Sequence, residues 1–144
     1  MSIQVKVSDY VKEPLGLVFK SVVDPTKITK YFVSNSSGKL AEGAKIIWEF
    51  KDYNVKINVD VIEVIENKKI MFNWEASGTK AKVTILFSSE EKNKTKIEIT
   101  EDSFEASEDG IKKAMQQTQG WTDFICSLKA YLYTGINLRN GKMN

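Results

Sequence analysis

A chain of 144 residues falls in the single-domain range, long enough to bury about two-thirds of the surface its unfolded form exposes. A hydrophobic share of 42% and a charged share of 28% exclude the composition of a disordered chain. The net charge of +2 comes from interspersed lysines and acids and excludes a basic tract of the kind that follows a phosphate backbone.

The densest basic run, Lys92, Lys94 and Lys96, alternates with Asn93 and Thr95 after Glu90 and Glu91. It reads as a solvated hairpin turn, because no aromatics are interleaved for base stacking. The first residues lack the charged start and apolar stretch of a secretion signal, and no segment approaches the roughly 20 apolar residues of a bilayer span. A cytoplasmic location is expected. The single cysteine, Cys126, has no partner for an internal disulfide, which suits a reducing compartment.

In chain order, Ile3, Val5 and Val7 alternate with polar residues and predict a first strand with one apolar face. Pro14 suits a helix start, and Leu15, Val18, Phe19 and Val22 recur at helical spacing. Asp24 followed by Pro25 reads as the N-cap and first position of a second short helix through about Tyr31. The stretch Ser34 to Gly38 reads as a turn, with an edge strand after it leading to Gly43.

A meander follows. Ile46, Trp48 and Phe50 share one face of a strand, and Asp52, Tyr53 and Asn54 turn the chain. Ile57, Val59 and Val61 form the next row, where Ile62, Val64 and Ile65 break the parity and predict a bulge. After a turn at Asn67, Lys68 and Lys69 come Ile70, Phe72 and Trp74, then Ala81, Val83, Ile85 and Phe87, then Ile97 and Ile99. A final helix of about six turns is predicted from Ile111, Met115, Thr118, Trp121, Ile125, Leu128 and Leu132, capped by Ser107 or Asp109 and ended by Gly135. Gly120, inside it, calls for a reason, and close approach of the helix backbone to another element supplies one.

These elements predict an α+β fold: a curved antiparallel sheet of six or seven strands around a long C-terminal helix, with two short helices closing one end. Residues 1–135 form one domain, and 136–144 read as a flexible tail. A single helix about 10 Å wide does not fill such a concavity, so an apolar cavity is expected between sheet and helix. Trp48, Phe50, Phe72, Trp74, Phe87 and Trp121 are expected to face inward. The expected lining is Trp48, Phe50, Ile57, Val59, Phe72, Trp74, Val83 and Ile85 from the sheet, with Met115, Thr118, Trp121 and Ile125 from the helix.

Two stretches carry a resemblance: VFKSVVDPTKITKYF (Val18 to Phe32) and GWTDFICSLKAYL (Gly120 to Leu132). Their order and spacing resemble the helix-grip fold of the START and birch-pollen-allergen (SRPBCC) superfamily, and within it the single-domain form of the activator of heat-shock protein 90 ATPase family. The resemblance implies an apolar ligand cavity between sheet and helix, a close-packing role for Gly120, and a chaperone as a partner by analogy. The family pattern often has tryptophan where this chain has Tyr31, at the implied pocket entrance.

No histidine occurs, which excludes a Ser-His triad and any His-containing metal site. Cys126, without an activating histidine, reads as a small packing residue at the flank of the helix stripe. Glu101 and Asp102, with Glu105 following, lie near the end of the last strand, and alternation turns one of the adjacent pair inward. Strand-end acids are usually solvated. No glycine-rich phosphate loop, cofactor or metal is indicated. The reading is therefore non-catalytic binding of a lipid-like or polycyclic molecule, with two alternatives: a heat-shock protein 90 ATPase-activator module, and a cyclase or hydrolase using a strand-end carboxylate.

Overall fold

The computed structural model describes residues 2–140. β1 (Ser2–Val11) is followed by α1 (Leu15–Val23) and α2 (Pro25–Ile28), which carry the chain to the opposite edge of the sheet, where β2 (Asn35–Ser36) begins. β3 (Lys45–Phe50), β4 (Val55–Ile65), β5 (Lys69–Trp74), β6 (Ala81–Glu91) and β7 (Lys94–Glu105) then step back, each antiparallel to the last. β7 ends beside β1, so the order is β1-β7-β6-β5-β4-β3-β2. The 27-residue helix α3 (Glu108–Thr134) packs on this seven-stranded sheet, chiefly over β1 and β7. This is the helix-grip arrangement expected from the sequence.

Local chemistry fixes the boundaries. The Asp24 carboxylate accepts from the Thr26 amide at 2.8 Å, and Pro25 needs no acceptor for its missing N–H, so α2 starts there. Ser107 Oγ accepts from the Gly110 amide at 3.1 Å, and Gly135, at φ 77°, ends α3 in the left-handed conformation that its missing Cβ permits. The parity break in β4 is a register shift between Val61 and Glu63.

Period-two alternation places Trp48, Val59, Phe72, Val83, Ile85, Ile97 and Ile99 on one buried face. Registered pairs such as Phe72 opposite Val83, and Ile85 opposite Ile99, knit that face across strands. α1 closes one end, its Phe19 ring meeting Phe87 edge-on at 5.2 Å.

Four expectations are corrected. The edge strand is Asn35–Ser36, inside the stretch read as a turn, and no strand forms between Lys39 and Gly43. Ser37 Oγ instead accepts from the Ile47 amide at 2.8 Å, so polar side chains extend the edge pairing. The apolar face of α3 does not begin with Ile111, Met115 and Thr118, all of which are exposed; Gly110 and Ala114 meet the sheet in their place. The reason is distance, since a Cβ on Gly110 would fall 1.8 Å from the Glu105 carbonyl oxygen. Gly120 makes no close approach, for a Cβ there meets nothing within 4 Å. Tyr31 stands at no entrance: it is fully buried, donating to the Ser21 carbonyl at 3.0 Å.

Of the stretch expected to be a tail, Ile136–Asn140 is described and holds Arg139 against the domain; residues 141–144 lie outside the described residues. Among the described residues no helix is long and apolar enough to cross a membrane.

Candidate functional site

Between the β3–β4 turn and the middle of α3, sheet and helix part and leave a cavity of about 870 Å³. Its sheet wall is Phe50, Tyr53, Val55 and Ile57, with Trp74 at the end of β5 and Ala76 just beyond it, and Phe32 also lines the cavity. The helix contributes Gln116, Gly120 and Asp123 at four- and three-residue steps, with Cys126 three residues further on, and Gln117, Gln119, Trp121 and Thr122 beside that row. A Cβ at Gly120 would meet nothing within 4 Å, so the helix backbone borders open space there.

The floor is aromatic. Trp74 and Trp121 stack with centroids 5.2 Å apart at 30°, and Phe32 meets Phe50 edge-on at 5.2 Å and Phe124 at 4.7 Å. Such pairs hold rings in fixed orientations and add about 0.5–1.5 kcal/mol each beyond area burial. A neighbouring hydrophobic surface is therefore rigid before anything binds.

Behind the two indoles sits Glu101, fully buried on the inward face of β7 that also carries Ile97 and Ile99. Oε2 accepts from Trp74 Nε1 at 2.8 Å and Oε1 from Trp121 Nε1 at 2.8 Å. Gln117 Nε2 donates to the same two oxygens at 3.1 and 3.3 Å. Every donor is an N–H, which is the partner set that an acceptor-only carboxylate takes. One carboxyl thus ties β7 to β5, across the intervening β6, and to α3. Its partner in sequence, Asp102, points outward to Gln4 Nε2 at 2.7 Å, and Glu105 is exposed. The expectation that strand-end acids are solvated fails for Glu101, because the strand runs four residues past it.

The rim carries the chain's single arginine, Arg139. Its guanidinium bonds Asp52, in the β3–β4 turn, and Asp123 of α3 at 3.3 Å. It lies over the rings of Phe32, Phe50 and Tyr53 at 5.9, 5.8 and 5.7 Å. These contacts draw the segment after α3 across one side of the cavity.

Of the lining expected from sequence, Phe50, Ile57, Trp74 and Trp121 converge on the cavity. Trp48, Val59, Phe72, Val83, Ile85 and Ile125 are packed into the core cluster, each 5% exposed or less. Met115 and Thr118 face a separate cleft against Ile3 and Val5 of β1. Cys126, read as a packing residue, is exposed at the cavity. Hydrophobic periodicity missed the glutamine-rich helix row and Arg139 because they are polar. The signals available were Gly120 within that row and the uniqueness of the arginine.

Long helix and antiparallel meander together define a helix-grip architecture. A family profile described as activator of Hsp90 ATPase homolog 1-like protein matches residues 12–133, and the chain belongs to that family. Among solved structures, protein SSP2350 from Staphylococcus saprophyticus is 29% identical, with a TM-score of 0.83 over 95% of this chain and 96% of that one. DynU16, a protein in the dynemicin biosynthetic locus, is 23% identical with a TM-score of 0.81, and the match covers 92% of this chain but 48% of that one. PFC0360w, an HSP90 activator from Plasmodium falciparum, is 20% identical with a TM-score of 0.73 over 90% of this chain and 96% of that one. No curated protein matches the chain.

Proposed function

We propose that this protein binds a hydrophobic small molecule, lipid-like or polycyclic, without transforming it, in the cavity between the β3–β4 turn and α3, and does so in the cytoplasm. The observation that carries this reading is an 870 Å³ space floored by stacked, pre-oriented aromatic rings. At roughly 25 cal/mol per Å², a few hundred Å² of buried ligand surface supplies several kcal/mol before association costs. The binding reading is preferred to a cyclase or hydrolase because Glu101 accepts from three side chains and lies behind the Trp74 and Trp121 wall.

The test is titration with pyrene, an apolar fused-ring probe whose absorption overlaps tryptophan emission. Saturable quenching with one-to-one stoichiometry is expected. No quenching, and no rise in melting temperature with pyrene or with a phospholipid panel, would overturn the proposal.

A second reading, a chaperone-interaction module, is favoured by the family itself and by the described role of the Plasmodium falciparum protein. Stimulation of heat-shock protein 90 ATPase activity at micromolar protein supports it, and a flat response removes it.

A further inference from the structure

We infer that the segment after α3, residues 136–140, is a hinged strap over the cavity, held shut by Arg139, and that its release controls passage between the cavity and solvent. The consequence for a guest rests on the cavity reading above. The strap itself rests on how the segment is attached.

A glycine supplies the hinge. Gly135 leaves α3 at φ 77°, a conformation open to glycine at little steric cost, and the chain beyond it reaches the β3–β4 turn. The main-chain bonds of that stretch are local: the Ile136 amide donates to Thr134 Oγ1 at 3.2 Å, the Arg139 amide to Asn137 Oδ1 at 2.9 Å, and the Asn140 amide to the Asn137 carbonyl at 3.3 Å. Its apolar side chains do not anchor it, since Ile136 is 57% and Leu138 47% exposed. Among the described residues, the hydrogen bonds that tie the segment to the rest of the domain run through one guanidinium, from Arg139 to Asp52 and to Asp123 at 3.3 Å.

That guanidinium joins the two sides of the cavity. Asp52 belongs to the β3–β4 turn and Asp123 to α3, and Arg139 is itself in the lining. α3 packs chiefly on β1 and β7, toward the other edge of the sheet, so near β3 and β4 the clasp is a join between side chains. An element held by one clasp and a hinge, with few buried apolar contacts, opens locally far more often than the domain unfolds. With the clasp made, Trp74 and Trp121 in the wall are 6% and 2% exposed. Opening lifts Arg139 off the rings of Phe32, Phe50 and Tyr53 and uncovers that side of the cavity.

The experiment uses acrylamide, a neutral quencher of tryptophan emission, on the intact protein and on Arg139→Gln, which removes the cation. The variant's quenching constant should be about twofold or more above that of the unaltered protein, as the strap spends more time open. Lys129→Gln breaks a different ion pair of α3, with Asp9 of β1 at 2.6 Å, and should leave quenching unchanged. An unchanged constant in Arg139→Gln, or an equal rise in both variants, overturns the strap and leaves the cavity reading standing. Pyrene association and dissociation, followed by stopped-flow quenching, should both rise about fivefold in Arg139→Gln while affinity changes by less than about twofold. Affinity lost with an unchanged association rate would make Arg139 a wall contact and overturn its control of passage. Acrylamide quenching that rises in Arg139→Gln while neither protein binds pyrene removes the cavity reading and leaves the strap.

Discussion

The two ends of the α3–sheet contact use the same residue types for opposite ends. Toward β5, β6 and β7, Phe72, Val83, Ile85, Ile99, Ile125 and Leu128 interlock with no more than 1% of any of them exposed. Toward the β3–β4 turn and the last residue of β5, Phe50, Ile57, Trp74 and Trp121 border a cavity. Hydrophobicity does not separate the two ends. What differs is the helix row set against them: Ile125 and Leu128 fill the first end, whereas Gln116, Gln119, Gly120 and Asp123 stand back from the second. A cavity in this fold is thus a matter of which helix positions decline to fill it.

The strongest way to break that comparison is truncation at both ends. Phe72→Ala should lower unfolding free energy by about 3–5 kcal/mol, because its neighbours lose contacts on every side. Ile57→Ala, whose side chain already borders empty space, should lose under about 2 kcal/mol. Chemical denaturation measures both, and equal losses would mean the open end is as tightly filled as the closed one.

Gly120 sharpens the comparison from the helix side. A methyl group there meets no atom within 4 Å, so Gly120→Ala should stabilise the protein by about 1 kcal/mol through helix propensity alone. Gly120→Leu should keep that stability while lowering pyrene affinity at least tenfold, as the added side chain takes the ligand's place. A Leu variant that still binds would move the ligand elsewhere.

The smallest effect concerns Tyr31, which joins α1 to the helix within the closed end. Burial first, and the neighbouring Tyr131 second, push its phenol well above the ordinary value of 10.0. The folded chain therefore keeps a proton that the unfolded chain releases above about pH 10, so this contribution is intact below that pH and declines as pH rises toward the folded value. Tyr31→Phe gives up a hydrogen bond to the Ser21 carbonyl, about 1 kcal/mol near neutral pH, and should fall less steeply between pH 10 and 11 than the unaltered protein. Melting temperatures across that range measure the difference.

β1, the meander strands, the turns between them, the caps at Asp24 and Gly135 and the β4 bulge were legible in the sequence because each is dictated within a few residues: alternation, Asp-Pro, a glycine closing the last helical turn. The inward turn of one residue of the Glu101 and Asp102 pair followed from the same alternation. What it met there was not legible, since Trp74 and Trp121 are 27 and 20 residues away in sequence and only the register of three elements brings their N–H groups to one carboxyl. The lining on α3 was misplaced for a related reason. Periodicity locates an apolar stripe, but the cavity borders the polar row next to it, and the rotation of the helix is set by Gly110 and Ala114, which carry almost no hydrophobic signal.

Gly110 has a wider consequence. Because a Cβ on Gly110 would fall 1.8 Å from the Glu105 carbonyl oxygen, the start of α3 is seated on the end of β7 main chain against main chain, like a beam resting on a fixed bearing. Exchanging bulky side chains farther along can reshape the hollow under that beam but cannot raise or lower its seat. Exchanges around positions 116 to 126 would then alter the unsupported span while the bearing itself stays as it is.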